Sequence, residues 1–519
     1  MKSTTTFTML NTPIVLVDFV VLAFFLQWMR TLRQRKSTPL PPGPAGYPLI
    51  GNVYDMMASE IWKRGMELGK TFGDLIYLQS FGQGITIVNS YDLAVELLET
   101  RSLNYSDRPT SVMLNDLQRW DWMFVNQSYG EVFRRLRTPT QRFLESSNIV
   151  HYEEVLNSQS QKLLRALLRS PKDYDAQIRA AVASFIMMMT YGHDVVSTTD
   201  PYVSLSEKGT VQLGVAMRPG AFLVDVIPWL KYIPKWVPGA GFQSVAEYGA
   251  KLSYDMRHLP FFDAKERTLA GTAVRSFTSE QIEMALTQEG ILSDGDEDII
   301  SSTSGIMYIA GADTLTSTLM TFVLAMTLFP ETQKRAQDEL DNVVDDGRLP
   351  KLSDRPRLPY CEALLKEVIR WQPTLPMGIA HATKTDDIYA GYRIPAKTPV
   401  IPNVYAMLHD PDEYPQPEKF NPERFLPESG KRLPRDPSKI AFGFGRRVCP
   451  GKYLAEQIVF LVIVRTLATF SITKEMDAEG RIIEPVIQHY LDGILIRTHR
   501  FDCTIKSRTK KAEQLILLE

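Results

Sequence analysis

Residues 442–451 read FGFGRRVCPG, and Cys449 among them is the side chain best placed to do chemistry. The thiolate is the nucleophilic and metal-binding form of cysteine, and a helix N-terminus stabilises it through the dipole and free amide groups. Pro450 and Gly451 lead into a helix-patterned apolar run that continues to Thr466, which puts Cys449 at such an N-terminus. Gly443, Gly445 and Gly451 admit backbone shapes and close approaches denied to other residues. Arg446 and Arg447 bring cations able to pair with carboxylates. Phe442 can pack over a flat ring. The chain has three cysteines, Cys361, Cys449 and Cys503, too few and too widely spaced for a Cys₄ zinc or iron–sulfur site. They make no disulfide framework and fit a reducing compartment. Any chemistry at Cys449 is therefore that of one soft anionic ligand. Cys361, in YCEALLKEVIRW, and Cys503, near a polar tail, read as packing residues.

Two further groupings stand out. Residues 310–314 read AGADT inside a long apolar helical pattern. Gly311 costs such a helix about 1 kcal/mol relative to alanine, and polar Asp313 and Thr314 sit beside it. A π-bulge or a groove at a ligand site explains such a weak point. A hydroxyl at Thr314 can hold oxygen or a water, and a carboxylate at Asp313 can relay protons. Taken alone, the pair reads as a threonine bonded back to a helix carbonyl and an aspartate in a surface ion pair. Glu367 and Arg370 lie three apart on a helical pattern and share a face, which alone signifies little.

Together these segments resemble the cytochrome P-450 family. Its haem-binding loop follows F-x-x-G-x-R-x-C-x-G, and Phe442, Gly445, Arg447, Cys449 and Gly451 match every fixed position. The resemblance implies that Cys449 is the axial ligand of the iron of haem b. It implies that Phe442, Gly443, Ala310 and Gly311 lie against the haem, and that Arg137, His381 and Arg447 meet its propionates. It makes Thr314 and Asp313 the oxygen-activating and proton-delivering pair. It joins Arg424, in PERF (422–425), to Glu367 and Arg370 in a structural network around the loop. There are two departures. Leu315 stands where the family often has a further hydroxyl, and Phe133-x-x-x-Arg137 replaces the usual Trp-x-x-x-Arg. The neighbours Arg134, Arg135 and Arg142 leave Arg137 open to two other readings, a solvated face or a surface for an acidic redox partner. In overall texture the chain looks like the fungal microsomal branch.

The implied activity inserts one oxygen atom from O₂ into a hydrophobic small molecule such as a terpenoid. The alternative is a haem-thiolate isomerase or dehydratase that needs neither O₂ nor reductase. No G-x-G-x-x-G opens a helix after a strand, so NADPH and flavins enter only through a partner, an NADPH-cytochrome P-450 reductase. By family position the substrate space is lined around Val112 to Met123, Ala310, Leu375 to Ile379, and Gly493 to Ile494.

The expected fold is mainly α with small β-sheets, arranged as the cytochrome P-450 fold with a long central helix over the haem. Residues 75–79 and 84–88 predict a hairpin. Helical patterns cover 91–100 and much of 129–145, 150–169, 176–192, 243–268, 279–289, 298–328, 331–344, 357–371 and 451–468. Short strands are expected at 388–394, 398–402, 482–486 and 492–497. The segment Glu297 to Phe329 would run about 50 Å before Pro330 stops it, so it must cross the protein's centre.

The 519 residues divide into an anchor with its basic flank (1–36), a proline-rich hinge (37–52) and a catalytic domain (53–519). Residues 13–29 are almost wholly apolar and extend upstream to a stretch long enough for a tilted membrane helix. Asp18 interrupts it at a cost of roughly 2.5–3.5 kcal/mol that several aliphatic residues offset. Arg30, Arg33, Arg35 and Lys36 follow, which predicts a single-pass anchor in the endoplasmic reticulum with the body in the cytosol. Membrane lipid is thus an expected contact. PLPPGPAGYPLIGN (39–52) reads as a stiff spacer. The net charge of −2 gives no electrostatic case for nucleic acid, and the chain is expected to act as a monomer.

Overall fold

The computed structural model describes residues 38–518 except 49, 218–219, 346, 486–488 and 493; the apolar stretch expected to span a membrane lies outside the described residues. The described chain is mainly helical, with one four-stranded sheet and three two-stranded ones.

The hairpin expected near residue 80 pairs Leu75–Ser80 with Gln83–Val88. Its tight turn has Phe81 and Gly82 both at positive φ, the geometry that matches strand twist. Pro399–Pro402 pairs parallel to the second strand and antiparallel to His381–Ala382. The stretch 388–394 breaks into Asp387–Tyr389 and Tyr392–Ile394, because Ala390 and Gly391, both at positive φ, turn the chain back. The strand expected at 492–497 is found as Leu495–Thr498, paired antiparallel with His489–Asp492. The strand expected at 482–486 is replaced, where described, by an isolated bridge between Met476 and Ile482.

The proline-rich stretch is docked on the body rather than held off as a spacer. Tyr77 N donates to Pro42 O at 2.9 Å, and Arg393 N donates to Pro39 O at 2.7 Å. Proline lacks a donor but keeps its carbonyl, so an extended proline segment can still be read as an acceptor edge by a neighbouring strand.

The central helix runs Asp294–Leu328, capped by Ser293, whose hydroxyl accepts from Asp296 N. Asp294, Asp296 and Glu297 lie in its first turn, where acidic groups complement the dipole. Nearly every residue from Ile300 to Thr327 is buried, because helices Tyr174–Tyr191, Phe242–Leu269, Glu131–Phe143 and Lys452–Thr469 surround it. Among the described residues this is the one helix long and apolar enough to cross a membrane, and its burial identifies it as the core.

Candidate active site

Cys449 lies three residues before helix Lys452–Thr469. The loop that carries it is shaped by the backbone. Cys449 N donates to Phe442 O at 2.8 Å and closes the loop on itself. Gly445 sits at φ 54°, where a Cβ would lie 2.2 Å from Leu98 O. That carbonyl belongs to a π-helical turn, Glu96–Thr100, where a continuous α-helix is expected from the sequence. Gly445 N also donates to Glu99 Oε1 at 3.2 Å. Arg446 donates to Ser102 Oγ at 3.1 Å and to the Tyr129 hydroxyl at 2.6 Å. Phe442 is partly buried beside Gly443, with the Lys452 ammonium 5.9 Å from its ring centroid.

Cys449 is exposed, in contrast to Cys361 and Cys503, which are buried. Desolvation by the surrounding protein pushes the Cys449 thiol pKa up and outweighs the Gly451 and Lys452 amides and the charges of Arg137 and Lys452, which pull it down. The helix N-terminus therefore does not, by itself, produce the lowered thiol pKa expected from the sequence. A metal cation facing the sulfur reverses that balance, because a coordinated thiol is deprotonated.

Near the loop lie three buried guanidinium groups. Arg447 donates to the carbonyls of Ser106, Phe124 and Gln127. Arg137 donates to Val448 O at 2.5 Å and to Gln141 Oε1 at 3.3 Å. Arg108, to which the sequence drew no attention, donates to the carbonyls of Val125, Ile379 and Ala380. Burial lowers the pKa of all three, and mutual repulsion adds to it at Arg108 and Arg447, bringing Arg447 to about 10. Among the described residues none of the three forms an ion pair with a carboxylate, although Asp107 acts on Arg447 through space. His381 is buried with them, its Nδ1–H donating to Tyr105 O at 2.7 Å. Burial, then Arg108, pushes its pKa down to about 3, and the Tyr105 carbonyl opposes this only in part. Buried cations are stable only when an anion meets them. A ring bearing two carboxylates and an iron fits this donor set, with sulfur for the iron and guanidinium groups for the carboxylates.

The turn 310–314 is regular α-helix, so the π-bulge offered as one explanation of Gly311 is absent. Gly311 permits close packing instead. A Cβ there would lie 2.7 Å from Ile186 Cδ1 of helix Tyr174–Tyr191. Ala310 is exposed amid buried neighbours and Thr314 is half-buried; spaced four apart, they share one face that opens inward. The Thr314 hydroxyl donates to Ala310 O at 2.8 Å, which leaves its oxygen able to accept. Asp313 is buried, and its Oδ2 accepts from Arg497 Nη2 at 2.7 Å.

Glu367, Arg370 and Arg424 come together. Both oxygens of Glu367 accept from Arg370, at 2.8 and 2.9 Å, and Arg424 Nε lies 3.2 Å from Glu367 Oε2. Arg370 Nη1 also donates to Leu408 O, and Arg424 Nη1 to Pro415 O, so the trio ties its helix to the chain leading to the cysteine loop. Glu367 and Arg370 are fully buried. A pair so placed costs desolvation and is held by this complete set of partners.

Comparison with known proteins agrees with this geometry. The profile of the family described as Cytochrome P450 matches residues 41–496. A protein named cytochrome P450 monooxygenase 208, from Postia placenta, is 41% identical over 485 residues, covering 93% of each chain. Cytochrome P450 monooxygenase ple1 of Rhodocybe pseudopiperita is 40% identical, covering 93% of this chain and 92% of its own. Cytochrome P450 monooxygenase claR of Ampulloclitocybe clavipes is 36% identical, covering 93% of this chain and 89% of its own.

Proposed function

The chain belongs to the cytochrome P450 family, and on that premise we propose that it is a haem-thiolate monooxygenase inserting one atom of O₂ into a hydrophobic small molecule, with Cys449 as the axial ligand. The observation that carries this reading is Cys449, exposed at the surface of a loop that is flanked by the buried guanidinium groups of Arg108, Arg137 and Arg447. Haem b bound there supplies a thiolate-ligated iron, a combination that favours O–O cleavage. Arg108, Arg137, Arg447 and His381 would hold its propionates, and the small, exposed side chain of Ala310 would leave room for it. Thr314, whose hydroxyl hydrogen goes to Ala310 O, would accept a hydrogen bond from a water beside the ring, and Asp313 would hand on protons from outside. The substrate class is terpenoid-like, supported by the apolar character of Met113, Leu114, Leu375 and Ile379. Electrons come from an NADPH-cytochrome P-450 reductase, for which the exposed Arg134, Arg135 and Arg446 offer a cationic face. We place the protein in the endoplasmic reticulum membrane as a single-pass monomer, on the strength of residues 13–36.

The test is an incubation with reductase, O₂ and host metabolite extract, with and without NADPH. Products heavier by one oxygen atom should form only with NADPH. Conversion that proceeds equally without it would overturn the reading. In Thr314→Ala, haem content should stay at the wild-type level while hydrogen peroxide displaces product several-fold. Unchanged coupling would remove Thr314 from proton delivery.

A further inference from the structure

The last hairpin is fastened to the central helix beside the open face of that helix. Asp313 and Ser317 are four apart and share a stripe next to the one carrying Ala310 and Thr314. Arg497 Nη2 donates to Asp313 Oδ2 at 2.7 Å, and Ser317 Oγ donates to Ile496 O at 2.7 Å. The same strand is held from a second direction, where Ile496 N donates to Thr374 O at 2.9 Å. Thr374 Oγ1 lies 3.2 Å from Thr318 Oγ1, and Thr318 Oγ1 donates to Thr314 O at 2.9 Å. Hydrogen bonds thus run from the helix to the hairpin, on to the 374 loop and back to the helix, where the last of them ends on the Thr314 carbonyl.

We propose that Arg497 is a positioning residue: it holds the Asp313 carboxylate on the hairpin side of the central helix and so couples the seating of that hairpin to the environment beside Thr314. The inference rests on the monooxygenase reading above. The physical argument is one of competing partners. A carboxylate bonded to a guanidinium through a charge-assisted bond keeps its charge and its orientation. Both side chains are about nine-tenths buried, so water cannot easily substitute for either partner. Asp313 can turn toward Thr314 only as the Arg497 contact lengthens, and Arg497 moves with the strand Leu495–Thr498. A molecule pressing on the hairpin therefore acts on the carboxylate through the Arg497 contact. Ser317 and Thr374 hold the strand through the backbone of Ile496, so the Arg497 side chain carries the link to the carboxylate.

The experiment uses the full-length holoenzyme, with carbon monoxide as the probe of the space beside Thr314. The C–O stretching band of the reduced complex is recorded by infrared spectroscopy for wild type, Arg497→Met, Arg497→Lys, Asp313→Asn and Asp313→Asn/Arg497→Met. Peroxide release with NADPH and reductase is measured in parallel. In Arg497→Met the band should move and broaden, and peroxide release should rise several-fold. Arg497→Lys should return both toward wild type, and the double variant should match Asp313→Asn. An unmoved band in Arg497→Met, or equal shifts in Arg497→Met and Arg497→Lys, overturns the proposal. If Arg497→Met fails to hold haem, the double variant decides: recovery of the pigment supports the pair, and its continued loss overturns it. A wild-type protein with no thiolate-type carbon monoxide spectrum would sink the monooxygenase reading instead, and that outcome is visible before any variant is made.

Discussion

In the cysteine loop the backbone does the positioning, whereas in the turn 310–314 the side chains do. The loop is held by Cys449 N on Phe442 O, by Gly445 at positive φ against Leu98 O, and by Gly445 N on Glu99. The helical turn keeps regular geometry, and its special features are an inward Ala310, a back-bonded Thr314 and an Asp313 tied to Arg497. The difference teaches where tolerance lies. A loop defined by backbone clashes fails when a Cβ is added, because a carbonyl cannot swing aside. A helix defined by side chains absorbs small changes, because side-chain ends can move.

The sharpest way to break the comparison is to add one methyl group in each place. Gly445→Ala meets Leu98 O at 2.2 Å and a left-handed φ, and should cost about 2–4 kcal/mol with loss of bound haem. Urea melts and haem content would show it; a stable, fully haem-loaded variant would mean the loop is not backbone-defined. His381 gives an effect of intermediate size, set by pH. The unfolded side chain takes a proton below pH ~6.5, but in the fold it resists until about 3. Stability of the haem-free protein is therefore fullest above the unfolded value and is lost as pH falls through that window. His381→Gln should lose less over it, which melts at neutral and mildly acidic pH would reveal. Because His409, also pushed down to about 3 by burial, titrates in the same window, part of the slope should remain. The smallest effect is expected for Gly311→Ala. The gain of about 1 kcal/mol in helix propensity offsets most of the cost of moving Ile186 Cδ1, so stability should change by roughly 0–2 kcal/mol with haem retained. A loss as large as that of Gly445→Ala would erase the contrast.

The same contrast explains what could be read from the sequence. Phe442, Gly445, Arg447, Cys449 and Gly451 form a visible pattern because the loop's geometry tolerates few other residue types. The first hairpin and the central helix were legible from period and length. The Glu367–Arg370 pair was visible only because Arg424 lay in a matching segment; i,i+3 pairs are otherwise commonplace. Arg108 and Arg497 carried no signal. Each is a single arginine whose role depends on neighbours more than a hundred residues away, Val125 apart. Helix Pro201–Met217 was missed because its apolar residues lack a clear face. The strands Phe470–Lys474 and Cys503–Ser507 were missed because antiparallel partners so far apart leave no local turn signal. The docking of the proline stretch was hidden because its acceptors are carbonyls, which every sequence has.

The most direct test of the account is the reduced carbon monoxide difference spectrum of the purified protein beside that of Cys449→Ser. The wild type should give the thiolate band at about 450 nm, and the variant should lose it. A wild type that takes up no haem, or a band that persists unchanged in Cys449→Ser, would contradict the assignment of this sulfur to the iron.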